Sequence, residues 1–219
     1  MSEISYKIIL IGNSGVGKTS FFRKLYTGEF SEKNISTIGV EKKTYNLDIN
    51  MDKDGKNVKN KFNIILFDTA GQEKFRAVTH TYYKDTDGIF LLYDITEKTS
   101  FENVKSWIDS ISDSLGKNKD SKYAIILIGN KFDLVEEDDK NRQVTEEVAR
   151  KMCQDYNMIW GGEQSIKTID FEKLKELYEE YVKKIYNIVG AKENKDQKSK
   201  KLAKHKKKGG CLTKLLQPG

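Results

Sequence analysis

The sequence predicts an α/β fold in which helices cover both faces of a mostly parallel sheet with one antiparallel edge strand. Four apolar runs of strand length lie at residues 6–11, 62–67, 88–93 and 124–128. Such runs are typical of parallel strands that are buried on both faces. The segments between them have helical spacing, and this alternation favours a doubly wound sheet. With 219 residues and 37% hydrophobic content, the chain is long enough for one such core.

The antiparallel strand is predicted at residues 44–50, paired with residues 62–67. The connection over residues 50–61 is longer than a tight hairpin needs, and we expect a polar turn at residues 54–55. Its beginning resembles a calcium-binding loop. Lys61 stands where that loop requires a bidentate glutamate, so calcium binding is not expected.

The last helix is predicted over residues 170–189, where apolar residues recur at intervals of three and four and form one face. This helix is expected to close the domain. An acidic run at residues 136–139 is interpreted as a solvated surface loop.

The segment GNSGVGKT at residues 12–19 follows the first apolar run and fits the phosphate-binding pattern G-x-x-x-x-G-K-S/T. Its glycines let backbone N–H groups wrap a polyphosphate, and the helix that follows adds its positive dipole end. Lys18 is expected to reach the β- and γ-phosphates and Thr19 to offer a hydroxyl to Mg²⁺. The alternative is a glycine-rich turn that matches the pattern by chance. The residues expected to contact nucleotide here are Ser14, Gly15, Val16, Gly17, Lys18, Thr19 and Ser20.

A second motif, NKFD at residues 130–133, follows the last apolar run and indicates which base is bound. The Asp133 carboxylate can accept two hydrogen bonds from N1–H and the exocyclic amine of guanine, which adenine cannot offer. Alone the motif is weak, because strands often end in Asn or Asp for turn chemistry. Behind a phosphate-binding loop, it predicts a guanine-nucleotide site that includes Asn130, Lys131 and Asp133.

A third motif makes the pattern specific: DTAGQEKFR at residues 68–76, again after an apolar run. Further pieces are STIGVE at 36–41, YYK at 82–84 and YDIT at 93–96. With this ordered set, the chain resembles the small GTPases of the Ras superfamily, and within it the Rab family, with Ran as the nearest alternative. The resemblance implies a P-loop NTPase G domain with a six-stranded sheet over residues 1–190.

The resemblance also implies roles for residues around the γ-phosphate and the base. Thr37 would bind Mg²⁺ and close over the γ-phosphate, and Asp68 would hold Mg²⁺ through a water. Phe30 would pack edge-on against guanine. The Gly71 N–H would sense the γ-phosphate, and Gln72 would orient the attacking water.

Catalysis in this class depends on position and charge stabilisation more than on covalent chemistry. The expected catalytic groups are therefore Gln72, Lys18 and Thr37. Intrinsic turnover is expected to be slow, because an arginine lent by an activating protein is worth on the order of 10³ to 10⁵ in rate.

The segment Ser165, Ile166 and Lys167 resembles the S-A-K segment in which a backbone N–H contacts the guanine carbonyl. The isoleucine is a departure from that pattern. It keeps the N–H and adds bulk near the base, so guanine specificity is expected to survive. The alternative is a plain loop before the final helix.

Other departures concern partner recognition. Lys42 stands where Rab proteins usually carry an aromatic residue, and Phe67 where they carry Trp; with Tyr82 these positions form an aromatic patch that effectors read. Asn34 replaces a tyrosine that often covers the phosphates. Partner choice is therefore expected to differ from that of typical Rab proteins.

The net charge of +6 is concentrated in the C-terminal tail, residues 191–219. Ten lysines against two acidic residues give the tail +8, which leaves −2 for residues 1–190. The domain therefore offers no basic face for nucleic acid, and we expect a disordered tail that contacts an anionic membrane surface.

Of the two cysteines, Cys153 has helical surroundings and is expected to be a core thiol, whereas Cys211 follows the polybasic stretch. Rab proteins carry prenylated cysteines in this region. Cys211 is single and is followed by eight residues, so no C-a-a-X box is present. Palmitoylation beside the lysines is the alternative lipidation, and a terminus that is not native is another explanation.

These observations predict a monomeric Rab-like GTP/GDP switch that hydrolyses GTP with Mg²⁺ and regulates vesicle trafficking. An exchange factor, a GTPase-activating protein and effectors are expected at the two switch segments, which lie around Thr37 and Gln72. The expected location is cytoplasmic, peripheral on the cytosolic face of an intracellular membrane, since no signal peptide or membrane span is apparent. The alternatives are a soluble Ran-like carrier switch and a non-hydrolysing pseudo-GTPase scaffold.

Overall fold

A computed structural model describes residues 3–31, 39–53, 56–69, 82–115 and 122–190, with backbone only at 52–53 and 56–57. Its centre is one six-stranded sheet in the order β2-β3-β1-β4-β5-β6. The strands are β1 Ile4–Ile11, β2 Val40–Lys53, β3 Lys56–Thr69, β4 Gly88–Asp94, β5 Ala124–Asn130 and β6 Ile159–Glu163. Only the edge strand β2 is antiparallel to its neighbour; β1, β3, β4, β5 and β6 pair in parallel. The predicted fold class is confirmed.

Helices cover both faces of the sheet. They are α1 Lys18–Thr27, α2 Lys98–Glu102, α3 Val104–Leu115, α4 Phe132–Glu137, α5 Glu146–Asp155 and α6 Phe171–Val189, with a 3₁₀ helix at Asp139–Asn141. One core cluster joins the sheet to α1 and α6, and a second joins the opposite face to α2, α3 and α5. Asp170 caps α6, because its carboxylate accepts hydrogen bonds from the N–H groups of Glu172 and Lys173.

The antiparallel hairpin is longer than the sequence predicted. Its register pairs Lys53 with Lys56, so only two residues separate the strands and residues 50–61 are mostly ladder, not connection. Ile49 and Met51 point inward, 1% and 8% exposed, and extend the alternating pattern beyond residue 50. The expected turn at residues 54–55 lies outside the described residues.

Two other predictions need correction or completion. The acidic run does not lie in a plain loop: Glu136 and Glu137 end α4, and Asp139 begins the 3₁₀ helix, although all three are exposed as expected. The sixth strand, β6, was not located in the sequence, because only Ile159 and Trp160 precede two glycines there. None of the described helices combines the length and apolar character needed to cross a bilayer.

Candidate functional site

The loop between β1 and α1 contains three glycines with a positive φ, and neighbouring atoms leave no room for a Cβ at two of them. Gly12 has φ 134°, and a Cβ there would overlap the carbonyl oxygen of Leu92. Gly17 has φ 102°, and a Cβ there would overlap the Asn130 side-chain amide. Both positions therefore require glycine for conformation and for space. Between them, Ser14 and Gly15 are exposed.

Lys18 is buried inside this loop. Its side-chain Nζ donates hydrogen bonds to the carbonyl oxygens of Gly12 at 2.9 Å and Asn13 at 2.6 Å. Burial lowers the pKa of Lys18 to about 8, and the nearby Asp68 carboxylate opposes that shift. The loop therefore folds around the positive charge of the Lys18 ammonium group. This charge favours the binding of an anion at the loop.

Thr19 and Asp68, both predicted Mg²⁺ ligands, are brought together by α1 and β3. The Thr19 hydroxyl donates to Asp68 Oδ2 at 2.7 Å. Asp68 is fully buried, and its Oδ1 has no hydrogen-bond partner among the described residues. Burial raises the pKa of Asp68 to about 6, against the lowering effects of the Thr19 hydrogen bond and of Lys18. A buried carboxylate oxygen in need of a partner is chemically suited to a hard cation or its water ligand.

The first turn of α1 adds a third feature that suits an anion. Gly17 is the N-cap, and no side chain in the described ranges caps the helix there. No acidic residue occupies the first turn. The positive dipole end of α1 therefore faces the loop, and the Asp68 carboxylate reaches this turn through the Thr19 hydroxyl. Val16, in the loop before the helix, is fully buried, and Ser20, on the helix, is half-buried.

Asn130, at the end of β5, joins the phosphate loop to the segment that follows β6. Its Nδ2 donates to the carbonyl oxygen of Val16 at 2.8 Å, and its Oδ1 accepts from the Ile166 N–H at 3.0 Å. Both polar atoms of the Asn130 amide thus bind protein. The residue holds two loops at a fixed separation.

Lys131 has a backbone angle that is uncommon for a residue with a side chain, φ 70°. Its Nζ forms an ion pair with Asp94 Oδ2 at 2.5 Å, and that carboxylate is only 5% exposed. Left-handed backbone at a non-glycine residue is a form of strain that clusters at functional sites. The ion pair fixes Lys131 beside the end of β4.

Asp133 lies in the first turn of α4, 8% exposed. Its Oδ1 accepts a hydrogen bond from the Ser165 hydroxyl at 2.6 Å, and Ser165 Oγ in turn accepts from the Thr168 N–H. Ile166 packs in the core at 1% exposure, so its added bulk is accommodated in the interior. Lys167 is exposed. The structure therefore brings the two predicted base-reading segments together.

Lys24 on α1 supports this region and was missed in the sequence. Its Nζ donates to the carbonyl oxygens of Ile166 and Lys167, both at 3.0 Å, across a separation of more than 140 residues. Burial lowers its pKa, with Asp170 opposing. Lys24 is 6% exposed. Its position on the apolar face of a helix is the local sequence signal that could have marked it.

Strand β6, which precedes the base-reading segment, is also held by an arginine–glutamate pair. Arg142 donates through NH1 and NH2 to the two carboxylate oxygens of Glu163 at 2.7 and 2.8 Å. Glu163 ends β6, next to Gln164, whose carbonyl oxygen accepts from the Phe132 N–H. This bidentate pair therefore ties β6 to the segment after the 3₁₀ helix.

The structure describes some of the other predicted site residues and not the rest. Phe30 is half-buried beyond the end of α1. Lys42 is exposed on β2, and the half-buried rings of Phe67 and Tyr82 lie 5.9 Å apart between centroids. Five predicted residues lie outside the described ones: Asn34, Thr37, Gly71, Gln72 and Cys211.

The described residues fit a Mg²⁺-bound nucleotide. Two glycines leave room at the loop, Lys18 and the end of α1 supply positive charge, and Asp68 offers an unpartnered oxygen beside Thr19. Asp133 and Ser165 supply a polar site for a base at the ends of β5 and β6. Ligands of open parallel sheets bind at this carboxyl edge of the strands.

Comparison with known proteins gives a consistent result. The model of the Ras family matches residues 7–187. The chain is 36% identical over 187 residues to Ras-related protein YPTC6 of Chlamydomonas reinhardtii, covering 85% of this chain and 78% of the relative. It is 35% identical over 191 residues to Ras-related protein RABA5c of Arabidopsis thaliana, covering 87% and 80%. Against Ras-related protein Rab-26 of Bos taurus, 36% identity extends over 157 residues, 71% of this chain and about half, 55%, of the relative.

Proposed function

The chain belongs to the Ras family as a Rab-like small GTPase, and from this premise we propose that it is a Mg²⁺-dependent GTP/GDP switch acting in vesicle trafficking. Members of this family bind guanine nucleotide and Mg²⁺ and hydrolyse GTP. The observation that carries the proposal for this chain is the meeting of Thr19 with Asp68 beside the buried Lys18. This arrangement places a metal-binding pair and a cation at one phosphate loop.

Lys18 is proposed to bind the β- and γ-phosphates by transferring its hydrogen bonds from the carbonyl oxygens of Gly12 and Asn13. The phosphates lower the cost of its burial, so its pKa rises again on binding. Thr19, Thr37 and Asp68 are proposed to hold Mg²⁺, which supplies neutralisation of the phosphate charge. Backbone N–H groups of residues 14–20 complete the phosphate site.

Asp133 is proposed to select guanine by accepting hydrogen bonds from N1–H and the exocyclic amine. Ser165 already fixes the Asp133 carboxylate through its hydroxyl, which pre-organises the acceptor. Asn130 and Lys131 hold the surrounding loops, and Phe30 covers the base from one side. The N–H of Ile166 is bonded to Asn130, so its use by guanine would require a shared hydrogen bond.

Gln72 is proposed to orient the attacking water, with the Gly71 N–H directed at the γ-phosphate. Turnover without a partner is proposed to be slow, because positioning alone leaves the transition-state charge incompletely stabilised. An exchange factor, an activating protein and effectors would bind the segments around Thr37 and Gln72. The nucleotide state of those segments then decides whether an effector is recruited.

The trafficking role is supported by the Rab-like relatives and by the tail. Ten lysines near Cys211 favour an anionic membrane surface, at about 1 kcal/mol for each basic side chain near the lipid. We propose a location on the cytosolic face of an intracellular membrane. A Ran-like soluble switch remains the alternative that a bare Cys211 would favour.

The hydrolytic part of the proposal is tested by single-turnover GTP hydrolysis in the wild type and in Gln72→Leu. We expect the variant to retain GTP binding and to hydrolyse bound GTP at least about 10-fold more slowly, since it cannot orient water. Gln154→Leu makes the same exchange at an exposed position of α5 and controls for the added leucine. Equal turnover in the wild type and Gln72→Leu would remove the catalytic role of Gln72, and no turnover in either would favour the pseudo-GTPase.

A further inference from the structure

Asn13, in the phosphate loop, is contacted from two sides. Its backbone carbonyl oxygen accepts the Lys18 hydrogen bond at 2.6 Å. Its side-chain Oδ1 accepts a hydrogen bond from the indole Nε1–H of Trp107 at 3.0 Å, across 94 positions of sequence. A single residue thus connects the phosphate-facing lysine to helix α3.

Trp107 is a rigid donor for this contact. It lies on α3, is 1% exposed, and belongs to the core cluster that includes Ile9 and Ile11 at the end of β1. A tryptophan packed on all sides has few accessible rotamers, so its N–H has a fixed position and direction. The hydrogen bond therefore anchors the loop to a side chain that is fixed against the sheet.

The position of the contact in the loop gives it a role. Ser14 and Gly15, at the loop tip, are exposed, and a Cβ built at Gly15 would meet nothing within 4 Å. The tip is held at its far end by Asn130, which donates to the carbonyl oxygen of Val16 at 2.8 Å. At its near end the corresponding side-chain hydrogen bond is the one from Trp107 to Asn13. The tip thus lies between two anchors, and only the one from Asn130 comes from a residue in a nucleotide motif.

We propose that Trp107 is a positioning residue for nucleotide binding, which holds the near end of the phosphate loop through Asn13. The inference rests on the proposed nucleotide function of this loop. Trp107 does not contact nucleotide; it keeps Asn13 in place when Lys18 gives up the Asn13 carbonyl oxygen for a phosphate. At that moment the indole hydrogen bond is the side-chain contact that keeps Asn13 in position.

The first test is the dissociation rate of a fluorescent GDP from Trp107→Phe, which keeps an aromatic ring and removes the N–H. A net hydrogen bond of ordinary strength predicts dissociation about 2- to 10-fold faster than in the wild type. Trp160→Phe is the matched control. The Trp160 indole N–H also donates to a side-chain oxygen, Glu146 Oε1 at 3.1 Å, at an exposed site away from the loop. We expect the control to dissociate GDP at the wild-type rate.

A double-mutant cycle separates positioning through Asn13 from a general packing defect. In an Asn13→Ala background, Trp107→Phe should change the GDP dissociation rate by less than about 2-fold, because its hydrogen-bond partner is already gone. A loss of core packing would instead slow or speed dissociation by the same factor in both backgrounds. Additive effects would overturn the proposal, as would a Trp107→Phe variant that dissociates GDP like the control.

A further measurement does not require Trp107 to be replaced. In Trp160→Phe, the single indole N–H signal in a ¹⁵N spectrum belongs to Trp107, because the chain has two tryptophans. Adding Asn13→Ala should move this signal and speed its exchange with solvent, and should speed GDP release relative to Trp160→Phe alone. An unchanged signal or an unchanged release rate contradicts the inference. If wild-type protein binds no GDP, the proposed function fails, and the indole signal of the nucleotide-free protein still decides whether the contact exists.

Discussion

At the scale of single residues, Asp68 is the side chain whose environment is least compatible with a protein that binds nothing. It is fully buried, one carboxylate oxygen accepts from Thr19, and the other has no partner in the described ranges. Lys18 supplies charge nearby but directs its hydrogen bonds to the loop. The buried Asp68 carboxylate therefore carries a desolvation penalty, and a bound cation would lower that penalty.

Asp68→Asn should stabilise the metal-free, nucleotide-free protein and weaken Mg²⁺-dependent GTP binding. Burial raises the pKa of Asp68 to about 6, so the folded state disfavours its ionised form. The resulting loss of stability is absent below the unfolded pKa near 4, grows as the pH rises to about 6, and is complete above it. The free energy of unfolding of the variant minus that of the wild type, from urea titrations in chelator, should therefore rise between pH 4 and 6 and then level off.

The same variant should bind GTP about 10- to 100-fold more weakly in Mg²⁺, and nearly as well as the wild type in chelator. Fluorescent GTP titrations with and without Mg²⁺ measure both. A loss of equal size in the two conditions would mean that Asp68 supports the fold and not the metal.

Asp133→Asn should change base preference instead of abolishing binding. The carboxylate accepts two hydrogen bonds from guanine, whereas an amide offers one acceptor and one donor. Xanthine presents a carbonyl oxygen where guanine has its amine, so it complements the amide. GDP affinity should fall on the order of 10²- to 10⁴-fold and xanthosine diphosphate should bind in its place. Competition titrations with both nucleotides measure this, and unchanged GDP affinity would place the base elsewhere.

At the scale of elements, the base-reading segment depends on contacts that no local motif contains. β6 joins the sheet at the open edge through few paired residues, with an irregularity between Leu127 and Gly129. The Arg142–Glu163 pair holds the end of β6, and Lys24 holds the segment after it through the carbonyl oxygens of residues 166 and 167. These contacts position Ser165, which in turn orients Asp133.

Arg142→Met should lower the free energy of unfolding by about 3 kcal/mol, because it leaves the Glu163 carboxylate, 9% exposed, without its partner. Arg150→Met is a closely matched control. Arg150 also pairs with a glutamate, Glu146 at 2.6 Å, and each arginine lies 5.7 Å from an aromatic ring centroid. The Arg150 pair is about half exposed, so its loss should cost less than about 1 kcal/mol.

Urea unfolding of the GDP-bound proteins compares the two variants. Equal losses would show that burial of the Arg142 pair adds nothing. Faster GDP release from Arg142→Met alone would extend the effect from β6 to the base site.

At the scale of the whole molecule, the two cysteines report separately on the core and on the tail. Cys153 is 4% exposed, as the sequence predicted, and burial raises the pKa of its thiol to about 11. Its thiolate is therefore scarce at pH 8, and alkylation of the native domain should be slow. Native protein from its own cells should show one fast-reacting thiol if Cys211 is bare and none if it carries a lipid. The intact mass of the same sample identifies a prenyl or palmitoyl increment, and fast alkylation of Cys211→Ser would contradict the burial of Cys153.

The outline of this molecule could be predicted because its strongest signals are local. The buried strands are mostly apolar runs, and the loop glycines, Lys18 and NKFD lie directly after two of them. What was missed depends on pairings distant in sequence or on short, weak patterns. β6 has two apolar residues before two glycines, β2 continues through polar positions, and Lys24 and Trp107 act on residues 94 to 143 positions away. Such contacts exist only once the sheet is assembled.

The central claim is that this chain selects guanine nucleotide and hydrolyses it at the phosphate loop. The most direct test loads nucleotide-free protein with equal amounts of GTP and ATP in Mg²⁺, removes free nucleotide, and identifies the bound nucleotide by chromatography over time. We predict that each molecule first holds one GTP and that this GTP is hydrolysed to bound GDP over the incubation. Bound ATP, or no bound nucleotide of either kind, would contradict the account.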